Sequence, residues 1–170
     1  MKRVYILRGP SGVGKTTWTE RLPDELKKET GEDVQVTVCS ADHFFEGTEA
    51  TVSDTGVHEH PVYNFDISKL PQAHSQCMNS FLRALKNENA VIVVDNTNER
   101  RWEYMNYELA ARIAGYHVVV VEFVIETLEQ LREIAARSRH GVPLSVIATK
   151  AASMEPDERA IRVPVEGLES

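Results

Sequence analysis

Cysteine is scarce in this 170-residue chain: there are two, Cys39 and Cys77, and their spacing fits neither a zinc site nor a redox pair. Free thiols in a reducing, cytoplasmic compartment are therefore expected, not a disulfide framework. Long apolar runs are missing too. The longest, residues 118–121 followed by 123–125 after Glu122, is strand-sized, so no membrane span is expected. The first eight residues lack the long apolar region and cleavage site of a signal peptide. Positive charge is absent from a whole stretch: Glu29 through Ser68 contains no Lys or Arg but nine acidic residues, within a chain of net charge −7. A protein gripping long nucleic acid along its whole face needs a basic surface, and this balance argues against one. What remains is ordinary for a globular domain, with 42% apolar and 26% charged residues, which excludes a disordered chain. The length predicts one domain.

Patterning predicts strands alternating with helices. Arg3–Arg8 reads as a short buried strand, followed by a glycine-rich segment from Gly9 to Gly14 and a helix from Lys15 to about Leu22. Pro23 predicts a new turn or helix start. Val34, Val36 and Val38 alternate with polar residues toward a strand ending near Cys39, and His43 to Asn64 reads as a long loop with room for short pieces of structure. Helical spacing runs from Asp66 to Lys86, and Ala90–Val94 is an all-apolar strand of the kind buried on both faces. A helix from Glu99 to Ala114 closes at Gly115. A strand follows from His117 to Val124, then a helix from Thr127 to Ser138 with Thr127 as its N-cap, and a last helix from about Pro143 to Ala152. The expected fold is α/β: a central parallel sheet of four or five strands with flanking helices. Residues 1–154 form the domain in this reading, and 155–170 a docked or frayed tail.

In such sheets ligands bind beyond the carboxyl ends of the strands, where the chemically informative residues fall. Gly9-Pro10-Ser11-Gly12-Val13-Gly14-Lys15-Thr16 fits G-x-x-x-x-G-K-[ST] between a strand and a helix. Glycines let successive backbone N–H groups face one point, and the helix adds its positive end. Gly9, Ser11, Gly12, Val13, Gly14, Lys15, Thr16 and Thr17 are thus candidates for holding ATP. Lys15 would reach the β- and γ-phosphates, and the Thr16 hydroxyl would ligate Mg²⁺. The guanine-reading Asn-Lys-x-Asp of GTPases is absent from the sequence.

Asp42 and Asp95 follow the second strand and end the Val91–Val94 strand. Asp42 could accept the proton of an attacking hydroxyl, and Asp95 could support the Mg²⁺ shell. For either, a helix cap or a turn is the plain alternative.

With these residues in place, the chain resembles the polynucleotide-kinase-like P-loop kinases, which include the phage 5′-hydroxyl kinases and kinase-like domains of Nedd4-binding proteins. The resemblance runs from Val4 to about Met154. It rests on the phosphate loop, Ser40-Ala41-Asp42, Tyr63-Asn64-Phe65-Asp66, Ala73-His74, Val93-Val94-Asp95-Asn96-Thr97-Asn98, Gly115-Tyr116-His117-Val118 and Arg137-Ser138-Arg139-His140-Gly141-Val142-Pro143. It implies Asp42 as general base and Arg137 or Arg139 in a lid that closes on ATP. It also implies the P-loop kinase fold, with a four-stranded central parallel sheet and a helical lid. Where the phage kinases carry arginines near the base, Ala41 and Phe45 stand here.

The reading that follows is a kinase moving the γ-phosphoryl of ATP to a hydroxyl. The favoured acceptor is DNA, RNA or a nucleotide-like substrate, at a 5′ end or a hydroxymethyl group on a modified base. A small-metabolite kinase and a non-catalytic ATP-binding or ATPase module are the alternatives. Weaker signals read as structural: His58-Glu59-His60 as surface histidines rather than a metal site, and Trp18 and Trp102 as packing residues. His74 reads as satisfying a buried contact, and Arg100 and Arg101 as a solvated helix start.

Overall fold

The computed structural model describes residues 2–53, 56–137 and 141–165, and the side chains among them other than 49–58. Five strands form one parallel sheet: β1 (Arg3–Arg8), β2 (Val36–Cys39), β5 (Val91–Asp95), β6 (His117–Val124) and β7 (Ile161–Pro164). Their order is β2-β5-β1-β6-β7. β3 (Glu46–Ser53) and β4 (Gly56–Tyr63) pair antiparallel as a separate ribbon. Helices α1 (Lys15–Thr30), α2 (Leu70–Lys86), α3 (Arg101–Ile113), α4 (Leu128–Arg137) and α5 (Leu144–Ala152) cover the sheet.

Period-two alternation of the strands divides the core into two layers. Val4, Ile6, Ile92 and Val94 pack with Ala73, Cys77 and Phe81 of α2 and Tyr104 and Tyr107 of α3. Tyr5, Leu7, Val91 and Val93 pack with Leu22 and Leu26 of α1, Ile134 of α4 and Ile147 of α5. Central β1 keeps Ile6 opposite Val94 on one side and Val120 on the other. Burial on both faces explains why β1 and β5 read as unbroken apolar runs.

The structure departs from the sequence reading in three places. Pro23 does not end α1 but lies inside it. Burying Leu22 and Leu26 on the sheet contributes roughly 3–6 kcal/mol, enough to offset the ~3 kcal/mol of an interior proline. The expected long loop from His43 to Asn64 contains the β3–β4 ribbon. Each of its strands is an edge, so Pro61 can sit within β4 opposite Thr48. Finally, the segment read as a tail supplies β7, paired with β6 from Ile161 opposite Val121 to Pro164 opposite Val124, and buries Val165 beyond it.

The remaining helix limits follow local chemistry. Thr127 Oγ1 accepts from Gln130 N at 3.1 Å, the expected cap before α4. Asp66 Oδ1 accepts from Ser68 N at 2.9 Å and starts the 3₁₀ turn leading into α2.

Candidate functional site

The carboxyl ends of β1, β2 and β5 deliver the phosphate loop, the turn bearing Asp42, and Asp95 to one edge of the sheet. There they line a cleft of about 360 Å³, together with Ser11 to Trp18, Asn96, Thr97 and Arg137. Of the residues predicted from the sequence, Ser11, Gly12, Val13, Gly14, Lys15, Thr16, Thr17, Asp42, Asp95 and Arg137 therefore converge. Gly9 does not line the cleft: it supports the loop from behind, its N–H donating to Thr97 O at 2.9 Å. Arg139 lies outside the described residues.

The loop's shape depends on glycine at two points. Gly12 has φ +84°, and a Cβ there would lie 3.0 Å from Ile134 Cγ2 and 3.2 Å from Ile134 O, so α4 rests directly on the loop. Gly14 has φ +98° with open space around it, and α1 begins at the next residue. Arg137, at the end of α4, donates from Nε to Gly12 O at 3.3 Å. The end of α4 is thus seated on the phosphate loop.

Lys15 Nζ donates to Gly9 O and Pro10 O, both at 2.9 Å. Burial pushes its ammonium below the ordinary lysine value, while Asp95 and Asp42 act in the opposite sense. Burial also pushes the Asp95 carboxyl up, and Lys15 counters it. Thr16 is exposed at the start of α1. Thr16 and Asp95 present hard oxygen donors to one cleft, a pair that fits Mg²⁺ with water completing its shell.

Asp42 opens a 3₁₀ turn, Asp42–Phe44, and its Oδ1 accepts from the Tyr63 hydroxyl at 3.0 Å. Burial first, then Asp42, hold the Tyr63 phenol well above its ordinary value, so it stays a donor. Asn96 braces the same turn, accepting from Ala41 N at 2.9 Å. Asn98 takes φ +47° and donates to Leu7 O at 2.7 Å, which fixes the loop after β5. The run of side chains after Asp95 therefore ties neighbouring strand ends together.

Several residues of the cleft were not among the predicted site residues. Trp18, Arg21 and Glu25 line the cleft from α1; their helical spacing from Gly14 was the available signal. Trp18 also packs edge-on against Tyr5 at 5.5 Å, as expected of a packing residue. Trp102 does not pack, being 68% exposed, and His74 is exposed on α2 rather than satisfying a buried contact. Arg100 and Arg101 do lie at an exposed helix start, where Arg101 N donates to Glu155 Oε2 at 2.8 Å. Glu59 and His60 are exposed on β4, and the His58 side chain lies outside those described. Among the described residues, no group of three or more His, Cys, Asp and Glu could hold a metal ion.

Residues 4–156 match the model of a protein family described as an AAA domain. The chain belongs to this AAA domain family. Human NEDD4-binding protein 2 is a 25% identical relative over 95% of the chain, which spans only 8% of that protein's length. Among solved structures, the AAA domain resembles an APS kinase from Mycobacterium tuberculosis, determined with AMPPNP and APS, at TM-score 0.57 and 12% identity. That match covers 96% of this chain and 88% of the other. It also resembles a gluconokinase from Sinorhizobium meliloti at TM-score 0.50 and 14% identity, covering 96% and 83% of the two chains. At these identities the likeness is one of fold: a five-stranded parallel sheet flanked by helices, in the P-loop kinase arrangement. No helix among the described residues is long and apolar enough to cross a membrane.

Proposed function

We propose that this domain transfers the γ-phosphoryl group of ATP to a hydroxyl acceptor, with a nucleic-acid hydroxyl as the favoured acceptor, at a 5′ end or on a hydroxymethylated base. The carrying observation is the placement of Asp42 and Lys15 on one cleft, with Asp42 held by Tyr63. Backbone N–H groups from Ser11 to Thr17 bind the phosphates, and Lys15 gives up its loop carbonyls to meet the β/γ charge. Thr16 and Asp95 are the residues that would hold Mg²⁺, whose charge offsets that of the phosphate oxygens when it is bound. Asp42 takes the proton of the acceptor hydroxyl as its oxygen bonds to the γ-phosphorus, while the bond to the β-phosphate oxygen breaks and ADP leaves. Arg137, with Arg139, neutralises charge from the lid.

A small-metabolite acceptor is the second reading, favoured by the Lys- and Arg-free stretch from Glu29 to Ser68 that surrounds Asp42. Radiolabelled ATP offered with 5′-hydroxyl oligonucleotides, modified-base DNA and small alcohols tests both. Label on an oligonucleotide supports the favoured reading, and label on a small alcohol moves the assignment to the second. Release of inorganic phosphate alone overturns transfer.

A further inference from the structure

Helix α3 is apolar on two sides. Tyr104, Tyr107 and Ala111 face the core and are at most 4% exposed. Trp102, Met105, Leu109 and Ile113 remain 68%, 55%, 57% and 79% exposed. At 3.6 residues per turn, the two sets lie on roughly opposite sides of the helix. A surface helix needs one apolar stripe; apolar character on both sides belongs to a helix that is covered on both. Single exposed apolar side chains are ordinary, but four along one helix form a patch.

The patch has the form of a helix-packing surface. Met105, Leu109 and Ile113 stand at four-residue spacing, the row by which packed helices most often interlock, and Trp102 extends it toward the start of α3. No charged side chain interrupts it: Arg101 and Arg112 border one edge and Asn106 the other. Side chains of this size and exposure present on the order of 500 Å² of apolar surface, the upper end of what a domain leaves in one patch. Two such stripes face to face cover on the order of 1,000 Å² before any flanking side chain is added, which reaches the area that a specific interface needs.

Charge selects the occupant. The chain carries a net charge of −7, whereas α3 holds two arginines and two glutamates, which balance. Arg112 is engaged by Glu108 at 3.0 Å, and Arg159 meets the same carboxylate at 2.7 Å. An anionic lipid surface or a nucleic acid would need a net positive face here, and would be repelled by the chain as a whole. A second α3 presents an uncharged apolar row of the same length and spacing. A patch shared by two copies about a two-fold axis closes on itself and leaves neither stripe uncovered.

We infer that α3 is a self-association surface, and that two copies of this chain pair through Trp102, Met105, Leu109 and Ile113. The inference is independent of the transfer reading, because none of these four side chains lines the nucleotide cleft.

Sedimentation velocity on the full chain from about 1 to 200 µM tests the pairing, because an interface near the lower limit of area is expected to dissociate at micromolar concentrations. The native chain should pass from monomer to dimer across that range. Leu109→Glu sets a charge in the middle of the stripe and should weaken pairing by about 30-fold or more. Trp102→Ala should weaken it by about tenfold. Leu128→Glu, which alters a comparably exposed leucine on α4, should leave the dimer intact. Melting temperatures at the monomeric end of the range should hold for every variant, and Leu109→Gln replaces Leu109→Glu if the charge lowers them.

A native chain that stays monomeric at 200 µM overturns the surface. So does a dimer indifferent to both α3 substitutions, or one equally sensitive to Leu128→Glu. Co-sedimentation of a monomeric native chain with phosphatidylglycerol vesicles, lost in Leu109→Glu, overturns the second copy in favour of a lipid surface.

Discussion

Tyr63 donates its hydroxyl hydrogen to Asp42 Oδ1 across 3.0 Å, so the last residue of β4 orients a carboxylate on the turn after β2. Tyr63→Phe deletes that bond while sparing the ring. Turnover should fall by about 3–10-fold, the scale of one hydrogen bond worth ~1 kcal/mol, with the KM for ATP unchanged. Because the phenol stays protonated, the alkaline limb of the pH–rate profile should not move. An equal rise in KM would mean that Tyr63 merely supports the cleft.

Asp42→Asn is nearly isosteric and should leave ATP affinity within a few-fold. Turnover should drop by about 10²–10⁴, the usual contribution of a general base. Single-turnover kinetics on the folded variant check this. Turnover near wild type would leave Asp42 as a turn residue.

Lys15→Ala should weaken ATP binding and nearly abolish transfer. In the native chain, burial depresses the Lys15 ammonium. Its phosphate-binding charge should therefore be lost as pH rises through a value below that of a free lysine, about 10.4. Calorimetric titration of AMPPNP across alkaline pH should show that earlier loss, and Lys15→Arg should postpone it.

Gly12 and Gly14 should respond differently to alanine. Both incur positive-φ strain, on the order of 1–3 kcal/mol. Only Gly12→Ala also drives a Cβ against Ile134, 3.0 Å away, so it alone should loosen α4. The expected pattern is a larger fall in melting temperature for Gly12→Ala, with faster amide exchange in α4. Equal responses would mean that α4 tolerates displacement.

Asp157 accepts from Arg159 Nε at 2.9 Å and from the Tyr104 hydroxyl at 2.7 Å, bracing the approach to β7 against α3. Arg159 leads in holding its carboxyl far below the ordinary range. A depressed carboxylate contributes stability above its unfolded value, about 3.9, and that contribution is lost as pH falls toward the folded value. Asp157→Asn should cost about 1–3 kcal/mol at neutral pH and flatten the acid side of the stability curve. Denaturant melts at several pH values report both.

The central sheet was legible because β1, β5 and β6 are apolar on both faces, and the phosphate loop because its chemistry is local in sequence. The β3–β4 ribbon was not legible. A two-stranded edge pair needs no buried alternation, and Gly47, Pro61 and its acids read as loop punctuation. β7 was missed for a similar reason: Ile161 and Arg162 are exposed, and only Val163 and Val165 turn inward. Within the site, Asp42 and Asp95 could be placed by their positions after strands. Tyr63 could not, because its partner lies 21 residues away across a ribbon that the pattern did not reveal.

Arg8 is fully buried at the end of β1, where its guanidinium reaches Glu122 Oε2 at 2.6 Å, Asn98 O at 3.0 Å and Glu155 O at 2.5 Å. These partners lie 114, 90 and 147 residues away in the chain. A cation sealed from water in this way is tolerable only when all of them arrive together. Local breathing of any one segment would strand the charge, so these distant stretches must open as one cooperative unit. The residue just before the phosphate loop thus makes the integrity of the nucleotide cleft all-or-none, and couples it to the far end of the chain.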